Sequence, residues 1–309
     1  MTVPSANPIK ISPSPAKVID SQSSAAIPVC IADDVVRIRP GTGWRALDLR
    51  ELWRYRELLG FLAARDISVR YKQTVLGVAW AVLQPLCTMV VFTIFFGRLA
   101  KMPSDGIPYP IFALVGLLPW QLFAYALQQS SNSLVNEQRL ISKVYFPRLV
   151  IPLSSVLAGA ADFAIAFGLV GLMMVGYAAA GFPPRITVAV AMLPVFTLLA
   201  LAAALGVGLW LAALNVQYRD VRYVVPFLTQ LWLFLTPIAY PSSLVPQGWR
   251  ILYGINPMTG VVDGFRWALV GGPAPDPGLM AASVAVVVAL LIGGLFYFRR
   301  VEAQFADVV

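Results

Sequence analysis

Asn136-Glu137-Gln138-Arg139-Leu140-Ile141-Ser142-Lys143-Val144-Tyr145-Phe146-Pro147-Arg148-Leu149-Val150-Ile151-Pro152 separates two long apolar runs. It carries four charges, on Glu137, Arg139, Lys143 and Arg148. As helix it would make roughly four turns before Phe146-Pro147 breaks it. Each flanking run is long enough to cross a bilayer, so this basic segment must lie at one membrane face. A helix placed there can be pushed by something outside the membrane.

The whole composition agrees with this reading. Of 309 residues, 59% are apolar and only 12% are charged, whereas soluble proteins carry roughly 25% charged residues. A mean hydropathy of +0.75 with repeated apolar runs indicates a polytopic helical membrane protein. Barrel strands alternate and leave no long unbroken runs, which excludes that class.

Outward from the charged segment, six spans are expected at residues 75–97, 109–128, 149–179, 188–214, 224–240 and 279–298. The fifth is short and stops at Thr236-Pro237. Between it and the sixth, residues 241–276 contain two apolar pieces, 249–255 and 259–270, each too short to cross. Asn256 suits an N-cap and Pro257 the first helical position, so two short helices are expected to dip in and return. Backbone broken at membrane depth is tolerated only where protein or a water-filled cavity covers it, which suggests a pathway beside the pair.

Before the first span, Leu49, Leu52, Trp53, Leu59, Leu62 and Ala63 share one helical face while Arg50, Glu51, Arg54 and Glu57 point away. This pattern predicts an amphipathic helix in the membrane interface. Arg65, Arg70 and Lys72 follow as a basic collar. The expected fold is therefore all-α integral membrane, with six transmembrane helices, an N-terminal amphipathic interface helix and a re-entrant helix pair between spans five and six. Residues 1–45, rich in Ser and Pro, are expected to form a disordered cytoplasmic tail. Residues 46–74 would hold the interface helix and collar, 75–300 the six-span domain, and 301–309 a second cytoplasmic tail. With the N-terminus inside, 18 of the 23 lysines and arginines fall on the cytoplasmic side and 5 outside, which places both termini in the cytoplasm.

Chemistry is sparse. There is no histidine, and Cys30 and Cys87 have no metal-ligand spacing. The spans contain one acid, Asp162, which reads either as a hydrogen-bonded helix-packing residue or as a transport group. Ala160, Ala164, Gly168 and Gly171 on its opposite face form a small-residue seam suited to close helix contact. No Gly-x-x-x-x-Gly-Lys-Ser/Thr motif occurs, so ATP is not bound here by a phosphate loop. One intramembrane acid and no visible repeat argue against an ion-coupled carrier. The chain lacks an engine of its own, which leaves a conduit driven by a partner.

Several motifs in chain order carry a family signal. The first runs from Arg65 through Asp66, Arg70, Tyr71, Lys72 and Gln73 to Gly77, with Trp80 and Gln84-Pro85 after it. Lys143-Val144-Tyr145-Phe146-Pro147-Arg148 and Tyr218-Arg219-Asp220-Val221 follow. Thr236-Pro237-Ile238-Ala239-Tyr240-Pro241, Val245-Pro246 and Asn256-Pro257-Met258 close the series. Over about residues 48–300 the chain resembles the membrane subunit of ATP-binding-cassette exporters of cell-surface polysaccharides, the O-antigen, capsule and teichoic-acid export permeases. Thr236 stands where that family often has Ser, which keeps the hydroxyl.

The resemblance implies a permease in the bacterial inner membrane, a homodimer with two cytoplasmic ATPase subunits, exporting a polyprenyl-linked polysaccharide. It also implies that residues 136–148 are a coupling helix seated in the ATPase. Glu137, Arg139, Lys143 and Arg148 would supply charge complementarity there, and Tyr145 and Phe146 the anchors. No cofactor is expected in this chain, since ATP and magnesium would be bound by the partner. No nucleic-acid partner is expected either. Phe92, Phe95 and Phe96 of the first span and Phe227, Trp232, Phe234 and Tyr240 of the fifth are candidate channel-lining aromatics, because sugar rings stack on flat apolar faces. Lipid-facing or belt positions are the alternative for each. Arg65, Arg70 and Lys72 are candidates to hold a lipid pyrophosphate at the inner interface, or else a plain anionic-lipid collar. Two other functions remain open: export of small hydrophobic drugs or lipids, and a membrane enzyme acting on polyprenyl-linked sugars, for which no catalytic cluster is visible.

Overall fold

Eleven α-helices make up the computed structural model, which describes residues 49–72, 77–144, 146–181 and 188–302; no strand occurs among these residues. The expected tail 1–45, Cys30, and residues 303–309 lie outside them. Among the described residues five helices are long and apolar enough to cross a membrane: Ala79–Leu99, Tyr109–Asn136, Val150–Ala179, Val188–Gln217 and Pro277–Glu302.

In chain order, α1 (Leu49–Arg54) and α2 (Arg56–Lys72) precede α3 (Gly77–Phe92), which winds into a π-helix at Thr93–Leu99. Then come α4 (Tyr109–Asn136), α5 (Gln138–Lys143) and α6 (Val150–Ala179). A 3₁₀ turn at Val188–Met192 leads into α7 (Leu193–Gln217). After α8 (Val221–Leu235) the chain unwinds, then forms α9 (Arg250–Tyr253), α10 (Pro257–Val270) and α11 (Pro277–Glu302).

The centre is α4. In its most apolar window 78% of residues are buried, against 17–33% for the other four long helices. A helix that is apolar all round belongs in the interior, and α4 packs against α3, α6, α7, α8 and α10. Behind it α7 and α11 approach so closely that a Cβ on Gly206 would meet the α11 backbone at Leu290 and Leu291, 2.8 Å away, and one on Gly294 would meet the Gly206 carbonyl. Small residues of this kind allow backbones to touch where lipid offers no hydrophobic drive. The seam expected on α6 behaves differently. Gly168 and Gly171 have nothing within 4 Å of a Cβ, whereas Gly159 is filled by the Tyr125 ring. Close contact within the chain therefore falls on the face of α6 that meets α4.

Two further expectations shift. The N-terminal helix is broken at Tyr55 and extends through the collar to Lys72, so Arg65, Asp66 and Arg70 are helical residues. Its protein-facing side is led by the buried Leu62 and Ala63, whereas Trp53 is 70% exposed. The fifth apolar run yields a 15-residue helix, α8, that begins at Val221, before the expected 224, and ends at the expected Thr236-Pro237 stop.

Candidate functional site

At the end of α4, Glu137 turns the chain into α5. Arg139 and Lys143 of this short helix are exposed, as is Val144, which is extended. Pro147 forbids continuation of the helix. Phe146 is directed inward, 5% exposed, into a second core with Leu62, Leu134, Leu149, Val150, Leu209 and Phe298. The sequence reading made Phe146 an anchor for a partner; the structure gives its ring to the protein's own interior. Tyr145 lies outside the described residues. Arg148 is also turned inward. Its guanidinium donates to the Glu302 carbonyl, and its backbone N–H reaches the Glu302 carboxylate at 3.4 Å. Glu302 pairs in turn with Arg299 at 2.9 Å. Among the described residues, the side chains exposed at this end include Arg139, Ser142, Lys143 and Val144, beside a cavity of about 230 Å³ that Ile141, Phe146 and Arg148 also line. Phe146→Ala is expected to lower stability by about 3–5 kcal/mol, the usual cost of emptying an aromatic site in a core. Heat-induced loss of the monodisperse protein measures it.

Two collar arginines meet carboxylates. Arg65 makes a bidentate pair with Glu137, Nη2–Oε1 2.5 Å and Nη1–Oε2 3.3 Å, and contacts Asp66 at 2.9 Å. Hydrogen bonding to Glu137 raises the guanidinium pKa above its ordinary value, against a smaller opposing effect of burial. Paired forks of this kind are among the stronger polar contacts in proteins. Arg70 lies 2.7 Å from Asp162 and 4.4 Å from the centre of the Tyr125 ring. Tyr71 donates its hydroxyl to the same carboxylate, and burial followed by that hydrogen bond pushes its phenol up to about 12. Asp162 is thus a helix-packing acid that ties α2 to α6. Lys72 is exposed and alone of the three collar cations has no contact of this kind among the described residues. The sequence does not show which acids the collar meets, because Glu137 and Asp162 lie 72 and 92 positions from their partners.

At the opposite end of α8, residues 236–239 are buried without being helical. Backbone groups there need partners, since a bare buried carbonyl is costly. Arg266, 4% exposed on α10, donates to the carbonyls of Pro237 and Ile238, the latter at 2.8 Å. Tyr109 donates to the Ala239 carbonyl at 2.7 Å. Tyr253 and Asn256 donate to Leu235 at 3.0 and 3.2 Å. Asn256 also caps α10, accepting from Met258 N–H at 3.1 Å, and accepts the Trp232 indole N–H at 2.9 Å. The Arg266 guanidinium lies 3.6 Å from the Phe112 ring centre. Gly116 leaves room for it, since a Cβ there would meet Nη2 at 2.8 Å. Sequence reasoning counted Arg266 only among the five lysines and arginines on the outer side and missed this brace. The usable signal was one arginine inside the apolar run 259–270, next to a neighbouring Thr-Pro break.

The candidate aromatics divide by orientation. Phe95, Phe227 and Phe234 are 56%, 63% and 52% exposed and point away from the chain's own core. Phe92 is buried and packs edge-on against Phe96 at 5.3 Å. Trp232 is turned inward, edge-on to Phe123 at 5.0 Å, and Tyr240 shares a hydrogen bond of 2.8 Å with Tyr253. Phe95 lies in the π-helical turn, a distortion that often marks functional segments. A Cβ on Gly97, in the same turn, would meet the Tyr109 ring at 2.8 Å.

Comparison with known proteins adds a family. The family described as ABC-2 type transporter matches residues 57–270. The O-antigen export system permease protein RfbA of Myxococcus xanthus is 31% identical, over 84% of this chain and 98% of its own length. RfbA of Klebsiella pneumoniae is 27% identical over 82% of this chain and 95% of its own. The polysialic acid transport protein KpsM of Escherichia coli is 27% identical over 79% and 93%.

Proposed function

The chain belongs to the ABC-2 type transporter family, and from that membership we propose that it is the permease subunit of an ATP-driven exporter of a cell-surface polysaccharide. The observation that carries the reading is the near end-to-end match to permeases named for O-antigen export. The cargo is a polyprenyl-linked glycan, and the membrane is the bacterial inner membrane. Two copies of the chain form the conduit, and two ATPase subunits bind ATP and magnesium and dock on the end that holds α5. That end faces the cytoplasm, as the lysine and arginine bias requires.

Six spans suit this fold. As helix, α8 is only about 22 Å long, short of the roughly 30 Å hydrocarbon core. The unwound residues 236–240, at up to about 3.3 Å each, make up the difference, and the α9–α10 pair then returns within the outer leaflet. Arg266, Tyr109 and Asn256 satisfy the broken backbone at that depth, in line with the rule for irregular segments in membranes. A second copy facing α3 and α8 would enclose a pathway walled by Phe95, Phe227 and Phe234, flat faces on which a sliding sugar chain makes many weak contacts.

Deleting the gene in its own host tests the reading: surface polysaccharide should vanish and return with the wild-type copy. Normal surface glycan, with altered resistance to a hydrophobic drug, would replace it with the small-molecule reading. For docking, Arg139→Glu with Lys143→Glu reverses both exposed cations of α5. It is expected to reduce ATPase co-purification at least about tenfold, as charge reversal at a complementary interface does.

A further inference from the structure

Three acids fall on the outer side in the proposed orientation, Asp105, Asp263 and Asp276, and these are the only acids that the sequence places there. They come from the loop before α4, from α10 and from the loop before α11, yet all three line one cavity of about 390 Å³. Arg250 and Arg266 line it with them. Asp263 and Arg266 are 8% and 4% exposed. Their closest approach is 4.0 Å, and Arg250 and Asp276 stand 3.7 Å apart. Both separations exceed the roughly 2.7–2.9 Å of a direct charged hydrogen bond. Asp105 accepts the Ser243 hydroxyl at 2.9 Å and Asp276 accepts the Gly278 N–H at 2.8 Å, and since a carboxylate offers about four lone-pair sites, each keeps further acceptor capacity. The buried Nε–H of Arg266 has no acceptor among the described residues.

We infer that this cavity is a sugar-binding subsite that takes one or a few units of the polysaccharide as it leaves the outer mouth. The inference rests on the export reading. A hydroxyl both donates and accepts, so a polyhydroxylated ring matches a lining of carboxylates that accept and guanidinia that donate, with the Ser243 oxygen, whose proton goes to Asp105, as a further acceptor. A free anion would face three carboxylates, and a small cation two guanidinia. No group of acids, cysteines or histidines among the described residues is arranged to hold a metal ion. The volume lies at the small end of the roughly 300–1,000 Å³ typical of small-ligand sites, enough for a few rings and not for a folded chain. The excess of one carboxylate over the guanidinia selects neutral or amino sugars over acidic ones.

The test uses the full permease with its ATPase in lipid nanodiscs. The probes are short oligosaccharides made by partial acid hydrolysis of the host's own surface polysaccharide, with glucuronic-acid oligomers as the acidic comparison, and binding is followed by saturation-transfer NMR. Wild type is expected to bind the host oligosaccharides saturably and the acidic oligomers more weakly. Ala274→Trp, an exposed rim position that fills the opening, and Asp263→Asn are expected to weaken binding at least about tenfold. Co-purification of the ATPase verifies assembly of each variant, and Ala274→Trp keeps the test open if Asp263→Asn fails to fold. Absent saturable binding to wild type, or equal binding to wild type and the Trp variant, overturns the subsite. Surface polysaccharide persisting in the deletion strain would instead sink the export reading, so the two failures are separable.

Discussion

Arg266→Leu is expected to abolish export and to cost at least about 3 kcal/mol of folded-state stability. The substitution strands the Pro237 and Ile238 carbonyls in an apolar setting, at about 1–3 kcal/mol each. It also leaves Asp263 buried without its cation, and removing one member of a buried charged pair costs about 3–5 kcal/mol. Lysine is no substitute, because one ammonium cannot span two carbonyls while stacking on Phe112 as the planar fork does. The double variant Arg266→Leu/Asp263→Leu should be more stable than Arg266→Leu alone, since the stranded carboxylate is gone. Thermal melting by size-exclusion fluorescence, with surface-glycan staining, checks both statements. A single variant that melts with wild type would show that the brace is not needed.

Glu137→Arg carries the second large effect. It sets a cation against Arg65 where a carboxylate now accepts a bidentate pair, at the junction of α4 and α5. Export is expected to fall more than about tenfold while the assembled complex continues to hydrolyse ATP, because the variant breaks the tie between α2 and the segment proposed as the ATPase docking site. Arg65→Glu should do the same. The exchange Arg65→Glu/Glu137→Arg is expected to restore most of the export, though not all of it, since Asp66 then loses its own contact with Arg65. Glycan exported per ATP hydrolysed is the measurement. A swap that stays as inactive as the single variants would assign the loss to something other than this pair.

Much of the fold was legible in the sequence because burial in lipid is written in run length. Five of the six apolar runs correspond to long helices, four of them with ends close to those expected, while α4 continues past the expected end at residue 128 to Asn136. The N-cap at Asn256 and the Pro257 start of α10 followed from local chemistry and stand as expected. The fifth run was read as short with a stop at Thr236-Pro237, and α8 does end there, although the apolar residues continue past it. Phe146 shows a different limit. A phenylalanine in a charged segment fits a partner's socket and the chain's own core equally well, and only the placement of Leu62, Leu134 and Phe298 around it decides between them. The collar arginines were visible as charges and invisible as partners.

By itself, the sequence determined the class of molecule, the basic face and the places where the chain breaks, because transfer from water to lipid and the backbone limits of proline act on each segment independently of the others. Tertiary structure alone decided that Arg65 meets Glu137, that Arg70 and Tyr71 hold Asp162, and that Arg266 carries the broken backbone after α8. The physical reason is that a charge in an apolar surrounding needs a partner within hydrogen-bond reach. In this chain those partners come from segments far away in sequence, so nothing local names them.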